Sequence, residues 1–163
     1  MISRLRPFWP AITLFASGAL LAGAHYFEKV VGLAPCLLCL QQREWHWGVV
    51  AVSILALIVT RLRPGWTSWA IVMTGLVLLG STAMASYHVA VEHGWLVAQC
   101  DAGGTIDASQ LSLDNLGDNL RPPRCDEVAW SMLGILMAGY NAIILLVMAL
   151  ASFYVALAGR RDQ

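Results

Sequence analysis

The sequence predicts an all-α integral membrane protein, a bundle of four spanning helices. Of its 163 residues, 58% are hydrophobic and only 12% are charged, whereas about a quarter of a soluble domain is charged. The mean hydropathy is +0.66. Four apolar stretches are each long enough to cross a bilayer core about 30 Å thick, which takes roughly 20 helical residues.

The predicted spans cover about residues 8–27, 37–60, 66–91 and 130–157 of a single membrane domain. The third and fourth contain no Asp, Glu, Lys or Arg, which argues against a soluble bundle because its helices need a polar face. The first could instead be a signal peptide. Its apolar run is longer than the usual 7–15 residues and the charged segment HYFEK follows, so we interpret it as a retained span.

Two loops, about residues 28–36 and 93–129, connect the spans on one side of the membrane. In the longer loop, four apolar residues recur at helical spacing: Ile106, Leu113, Leu116 and Leu120. Both a short amphipathic helix on the membrane surface over 105–120 and an irregular loop fit this pattern.

The distribution of arginines predicts the orientation of the bundle. The side with both termini carries six of them: Arg4, Arg6, Arg61, Arg63, Arg160 and Arg161. The positive-inside rule places this side in the cytoplasm, and the two loops then face the periplasm of a bacterial cell. The net charge of zero gives no electrostatic reason to expect nucleic acid as a partner.

Four cysteines lie outside the spans or at their outer edge: Cys36, Cys39, Cys100 and Cys125. The predicted orientation puts them on the oxidising side of the membrane. Pro35 fits the first turn of a helix, so Cys36 is expected near a helix N-terminus, where the macrodipole favours a thiolate. Cys39 and Arg43 follow on the same helical face, where the guanidinium would stabilise a Cys39 thiolate or an anionic oxygen.

Several kinds of site use such cysteines. A zinc site is one, but 24 residues separate Cys100 from Cys125, which is unlike a zinc ribbon. A c-type haem needs C-x-x-C-H, and Leu40 follows Cys39 here. Structural disulfides remain an alternative, although a C-x-x-C loop stabilises little by entropy. Redox exchange is the usual use of this motif. No nucleotide-binding motif is present, so a lipid-soluble quinone is the expected electron acceptor.

At this point the sequence resembles the DsbB family, the bacterial inner-membrane disulfide oxidases that reoxidise the periplasmic thioredoxin-like protein DsbA. Three segments carry the resemblance: PCLLCLQQR, YHVAVEHGWLVAQCD and RCDEVAWSMLGILM. It implies that Cys36 and Cys39 form the quinone-linked disulfide, with Cys39 next to the ring. It also implies that the loop pair is Cys100, which engages the partner, and Cys125.

The resemblance further implies that Arg43, His93 and Met137 bind the quinone, either ubiquinone or menaquinone. Without it, a histidine or methionine at these places would be an interfacial or packing residue, and we interpret His88 in that way. Gln42 departs from the family, in which an acidic residue often precedes the arginine. The alternative function is a non-enzymatic four-span membrane protein with structural disulfides in its outer loop.

Overall fold

The computed structural model describes residues 5–97, 124–126 and 128–161, with side chains up to residue 158. Four long helices make up most of this part: α1 (Trp9–Lys29), α2 (Leu37–Leu62), α3 (Thr67–Glu92) and α4 (Met137–Arg161). Each contains a segment long and apolar enough to cross a membrane. The predicted all-α, four-helix membrane fold is therefore confirmed. The predicted surface helix over 105–120 lies outside the described residues.

Local sequence signals define the ends of the helices. Cys36 is the N-cap of α2, and its sulfur accepts a hydrogen bond from the backbone N–H of Cys39. A short 3-10 turn, Pro64–Trp66, joins α2 to α3. Gly94 follows α3 with a φ of +69°, a conformation that glycine adopts without steric cost. These ends bring the start of α2, the end of α3 and the start of α4 together at what we name the cysteine end of the bundle.

The fourth helix begins about seven residues later than the predicted span. The segment before it forms a hairpin of two short antiparallel strands, β1 (Ser131–Met132) and β2 (Ile135–Leu136). Both turn residues, Leu133 and Gly134, have positive φ, as a two-residue type I′ hairpin turn requires. Apolar residues here satisfied the hydropathy criterion for a span, but their backbone is paired in the hairpin.

Close approach of small residues holds the helices together. The core at mid-bundle is a cluster of Val49, Leu78, Ala85, Leu145 and Ala149. A Cβ atom added to Gly75 of α3 would lie 3.2 Å from the Cβ of Ser152 and from the ring of Phe153, both on α4. Because lipid is as apolar as the helix surfaces, membrane helices associate through such close packing and through hydrogen bonds.

Hydroxyl groups provide those hydrogen bonds between helices. Thr13 of α1 and Ser53 of α2 are hydrogen-bonded at 2.9 Å between their hydroxyl oxygens. The indole N–H of Trp9 donates to the hydroxyl of Ser152 on α4, also at 2.9 Å. Through these contacts α1 is attached to both neighbours, and its position along the bundle is fixed.

We expect Gly75→Leu to destabilise the bundle, because the larger side chain forces α3 away from α4. Overpacking of this kind costs about 1–3 kcal/mol. The matched control is Gly18→Leu, where an added Cβ meets no atom within 4 Å. Thermal unfolding followed by circular dichroism in detergent should show a lower midpoint for Gly75→Leu only. Equal midpoints for the two variants would contradict the close packing of α3 on α4.

A dithiol between a disulfide and an apolar cavity

Cys36 and Cys39 lie together at the first turn of α2. Both are free thiols, and their sulfur atoms are 2.6 Å apart. Cys36 is 6% exposed, whereas Cys39 is partly exposed. The C-x-x-C spacing places the two sulfurs one helical turn apart on the same face, so the pair can form and break a disulfide with little backbone movement.

Burial opposes the thiolate that the helix dipole was expected to favour at Cys36. The pKa of the Cys36 thiol is raised, first by its side-chain hydrogen bond with Cys39 and then by burial, while the backbone N–H of Cys39 acts in the opposite direction. A thiolate on Cys36 therefore needs further hydrogen-bond donors around its sulfur.

Cys125 lies in the same buried cluster as Cys36, together with Leu38 and Val91. It is 1% exposed and is disulfide-bonded. The neighbouring turn is held by Arg124, which donates two hydrogen bonds to Asp126, at 3.0 and 2.9 Å. This hydrogen bonding lowers the pKa of the Asp126 carboxyl. A disulfide sulfur is thus packed in the cluster that contains Cys36, and Cys39 packs against the same cluster. Cys100 lies outside the described residues.

A row of buried polar side chains runs from Cys36 across three helices. The Cys36 sulfur is 3.6 Å from Nε2 of His88. Nδ1 of His88 is 2.6 Å from Nε2 of Gln42, and Oε1 of Gln42 accepts from Nδ2 of Asn141 at 2.6 Å. Finally, Oδ1 of Asn141 is 3.0 Å from Nε2 of His46. The row joins α2, α3 and α4 at the cysteine end.

A cavity of about 380 Å³ opens beside this row. Most of its wall is apolar, with Leu20 and Phe27 from α1 and Ile144 from α4 among the lining residues. Trp130 also lines it and packs between two other rings, with centroid distances of 5.5 Å to Phe27 and 6.2 Å to Tyr140. The aromatic rings therefore close one side of an apolar chamber within the bundle.

Polar groups of the chamber are concentrated near the dithiol. Cys39 lines it, but Cys36 does not. Arg43 lines it as well, and its guanidinium is paired with the carboxylate of Glu28 on α1 and donates to the carbonyl oxygen of Ala24 at 3.1 Å. Glu92 contributes a buried carboxylate oxygen that has no hydrogen-bond partner among the described residues. The chamber thus combines apolar walls with a thiol, a cation and a carboxyl group.

The structure brings some of the predicted site residues together and separates another from them. Met137, at the start of α4, lines the chamber together with Cys39 and Arg43. His93 does not line it. Its exposed ring stacks on the indole of Trp95, with ring centroids 5.1 Å apart. The predicted roles of Arg43, His93 and Met137 in quinone binding remain predictions.

His88 is the site residue that sequence reasoning missed. It was interpreted as an interfacial polar residue, yet it is 3% exposed and contacts both Cys36 and Gln42. One signal could have found it, because His88 and Glu92 are one turn apart, and their side chains lie 3.9 Å apart. Asn141 was missed as well, since a single amide in an apolar helix has no pattern to mark it.

Cys36, Cys39 and His88 also have the donor atoms of a metal site, all within 4.8 Å of one another. Two thiolates on one tetrahedral zinc ion would lie about 3.8 Å apart, given Zn–S bonds of about 2.3 Å. The two sulfurs are 2.6 Å apart. The arrangement is therefore suited to sulfur–sulfur exchange, and a metal would require the pair to open.

Fold and site together define an integral membrane protein with a dithiol packed beside a disulfide. Thiol–disulfide exchange requires this arrangement of sulfur atoms. The family described as Disulfide bond formation protein DsbB matches residues 6–155. The chain belongs to this DsbB family, and the predicted membership is confirmed. Membership of this family makes the chain a membrane protein of disulfide-bond formation.

Similar proteins support the same assignment. The chain is 30% identical to Disulfide bond formation protein B 2 of Pseudomonas entomophila, an alignment covering 87% of this chain and 84% of that protein. It is 29% identical to Disulfide bond formation protein B of Marinobacter nauticus, over 90% and 89% of the two chains. Disulfide bond formation protein B of Pasteurella multocida is 30% identical, over 88% and 80%. No solved structure matches the chain.

The different surroundings of the two thiols predict different reactivity. In the reduced protein, an apolar maleimide should modify Cys39 before Cys36, because only Cys39 lines the chamber and Cys36 is buried. Mass spectrometry of digested samples at increasing times measures the order. Unfolding in sodium dodecyl sulfate is the control and should bring the two rates together. Faster modification of Cys36 in the folded protein would contradict this geometry.

Proposed function

We propose that this protein is a quinone-dependent thiol oxidase that reoxidises a periplasmic thioredoxin-like protein of the DsbA type. Membership of the DsbB family supports a role in disulfide-bond formation. The electron acceptor and the protein partner are our proposal. The observation that carries it is the division of the dithiol, with Cys39 on the apolar chamber and Cys36 packed in the cluster of the disulfide-bonded Cys125.

The chamber has the features that a quinone headgroup requires. Its volume of about 380 Å³ lies within the range of small-molecule sites, and its mostly apolar wall with a few polar groups is typical of them. Two lining residues have buried polar atoms that find no hydrogen-bond partner in the described part of the chain, Nδ1 of His46 and Oε2 of Glu92. The guanidinium of Arg43 can donate to a ring oxygen of the quinone, and the His46 and Glu92 atoms can accept hydrogen bonds from the O–H groups of the quinol. A bound quinone supplies a two-electron acceptor that takes up two protons.

The cysteines pass electrons between the partner and the chamber by exchange of disulfides. The partner's thiolate attacks Cys100 in a Cys100–Cys125 disulfide, and the electron pair of the broken bond remains on Cys125. The Cys125 thiolate then attacks Cys36 of the oxidised pair. A Cys36–Cys125 disulfide forms and Cys39 leaves as a thiolate. The clustering of Cys36 with Cys125 supports this step, because exchange requires the sulfurs to meet.

The second half of the cycle restores both disulfides. When the partner's second thiol resolves its mixed disulfide, Cys100 is released as a thiolate and attacks Cys125, which expels Cys36. Cys36 and Cys39 then form their disulfide again, and the two electrons lost by this pair are those that the acceptor receives. Arg43, one turn from Cys39, stabilises negative charge in the chamber during this step.

The proposed orientation places both termini in the cytoplasm and the cysteines toward the periplasm, in a bacterial inner membrane. The described part of the chain supports it, since Arg61 and Arg63 lie at the end of the bundle opposite to the cysteines, as the positive-inside rule expects for a cytoplasmic face. This orientation gives the dithiol access to an oxidising compartment.

Direct assay of the purified protein tests the proposed function. Ubiquinone and a reduced thioredoxin-like protein are added in detergent, and the absorbance of the oxidised quinone is followed. We expect quinol formation by the parent protein and none by Cys39→Ser. Cys100→Ser should fail to oxidise the partner while its Cys36–Cys39 disulfide stays intact. If the parent protein forms no quinol, and thiol trapping shows no cycling of its cysteines, the function is that of a static structural disulfide.

Arg43→Ala should raise the apparent KM for quinone about tenfold, because a hydrogen bond or ion pair to a charged group contributes about 1.5–3 kcal/mol. Arg43 also holds α1 through Glu28, so Glu28→Gln is the matched control. It breaks the ion pair but keeps the guanidinium, and its KM should change less. An equal rise in both variants would mean that Arg43 acts only by joining the two helices.

A further inference from the structure

The orientation of the Gln42 and Asn141 amides sets which ring nitrogen of His88 carries the proton. Oε1 of Gln42 is occupied as the acceptor of the Asn141 amide N–H, so its Nε2 is the atom that faces Nδ1 of His88 at 2.6 Å. An amide nitrogen can only donate. Nδ1 of His88 is therefore the acceptor, and in the neutral ring the proton is on Nε2.

That nitrogen faces two acceptors, the Cys36 sulfur at 3.6 Å and a carboxylate oxygen of Glu92 at 3.9 Å, and the sulfur is the nearer of the two. With the Asn141 amide in this orientation the rest of the row has the same direction, because Oδ1 of Asn141 accepts and Nε2 of His46 donates to it. In each hydrogen bond of the row, the donor is thus the side chain farther from Cys36 and the acceptor is the nearer one. The sulfur receives two N–H groups, one from His88 and one from the backbone of Cys39 at 3.2 Å.

We propose that His88 is a catalytic residue of the thiol exchange and that its Nε2–H stabilises the Cys36 thiolate when Cys36 is expelled from Cys125. In that step a thiolate bonds to the Cys125 sulfur, the bond between Cys125 and Cys36 breaks, and the electron pair remains on Cys36. The proton stays on His88, and no other reactant is needed. Gln42 is a positioning residue, because it fixes the tautomer of His88. This inference rests on the proposed function.

The need for such a donor follows from the burial of the leaving group. Cys36 is 6% exposed, so water does not solvate its thiolate, and an unpaired charge in an apolar site is costly. Hydrogen bonds from neutral donors stabilise the charge without a second charged group. A thiolate of lower pKa also leaves faster, so a donor at this sulfur accelerates its departure from Cys125.

A variant with Cys36 as its only cysteine tests the hydrogen bond without quinone or partner. It carries Cys39→Ser, Cys100→Ser and Cys125→Ser, and the rate of Cys36 alkylation by iodoacetamide is measured against pH. The ionisable group that contacts Cys36 is then His88, with Glu92 on α3 beyond it; Arg43 on α2 lies on the Cys39 side of the pair. We expect His88→Leu to lower the rate at pH 7 about tenfold, as loss of a hydrogen bond to a charged group predicts.

Three further variants separate the role of the N–H group from a structural role. His88→Gln restores an N–H donor and should recover most of the alkylation rate. Gln42→Met removes the amide that fixes the tautomer of His88 and should lower the rate about threefold. His25→Leu, which changes a histidine remote from the dithiol, should have no effect. An unchanged rate in His88→Leu, or equal losses in His88→Leu and His88→Gln, would overturn the proposal. If His88→Leu does not fold, an unchanged rate in Gln42→Met would overturn it.

A second readout uses the intact set of four cysteines during turnover. With His88→Leu, slower expulsion of Cys36 should make the Cys36–Cys125 disulfide accumulate, which peptide mapping under non-reducing conditions detects after acid quenching. Absence of this accumulation in a variant that still turns over would overturn the assigned step. If the parent protein does not turn over at all, the proposed function fails, and the alkylation series alone decides whether His88 acts on Cys36.

Discussion

A buried polar group within a membrane bundle must find its partner inside the protein, because lipid offers none. The cysteine end is built around this constraint. Gln42, His88 and Asn141 come from three different helices and satisfy one another at distances of 2.6 Å. Separating α3 or α4 from α2 would leave amide and imidazole groups unpaired in an apolar environment, at a cost of several kcal/mol. The row therefore fixes the helices where the chemistry takes place.

The fixed register gives each sulfur of the dithiol its own surroundings. Cys36 starts α2 and is packed against the segment that contains Cys125, while Cys39, one turn further into the bundle, lines the apolar chamber. A C-x-x-C motif in the middle of a helix would place both sulfurs in one medium. At the start of α2, Cys36 is buried beside Cys125, whereas Cys39 packs against that cluster and also lines the chamber.

Much of this arrangement can be predicted from the sequence, because the relevant patterns are local. Apolar runs located the helices, and the i+3 and i+7 spacing from Cys36 predicted the shared face of Cys39 and Arg43. The start of α4 was displaced by a hairpin, since hydropathy does not distinguish apolar residues in a strand from those in a span. His88 was missed for a different reason. Its partners are 46 and 52 residues away in the chain, and the local signal, Glu92 one turn later, does not indicate either of these contacts.

The amide at position 42 has a consequence that a carboxylate would not have. A carboxylate would accept hydrogen bonds only and would draw the His88 proton to Nδ1, so that a neutral ring would present a lone pair to Cys36. A donor on the sulfur would then require a charged imidazolium. With an amide whose nitrogen donates to Nδ1, the ring donates to Cys36 while remaining neutral. Gln42 and His88 thus form a matched pair, in which the identity of one side chain determines what the other can do for the sulfur.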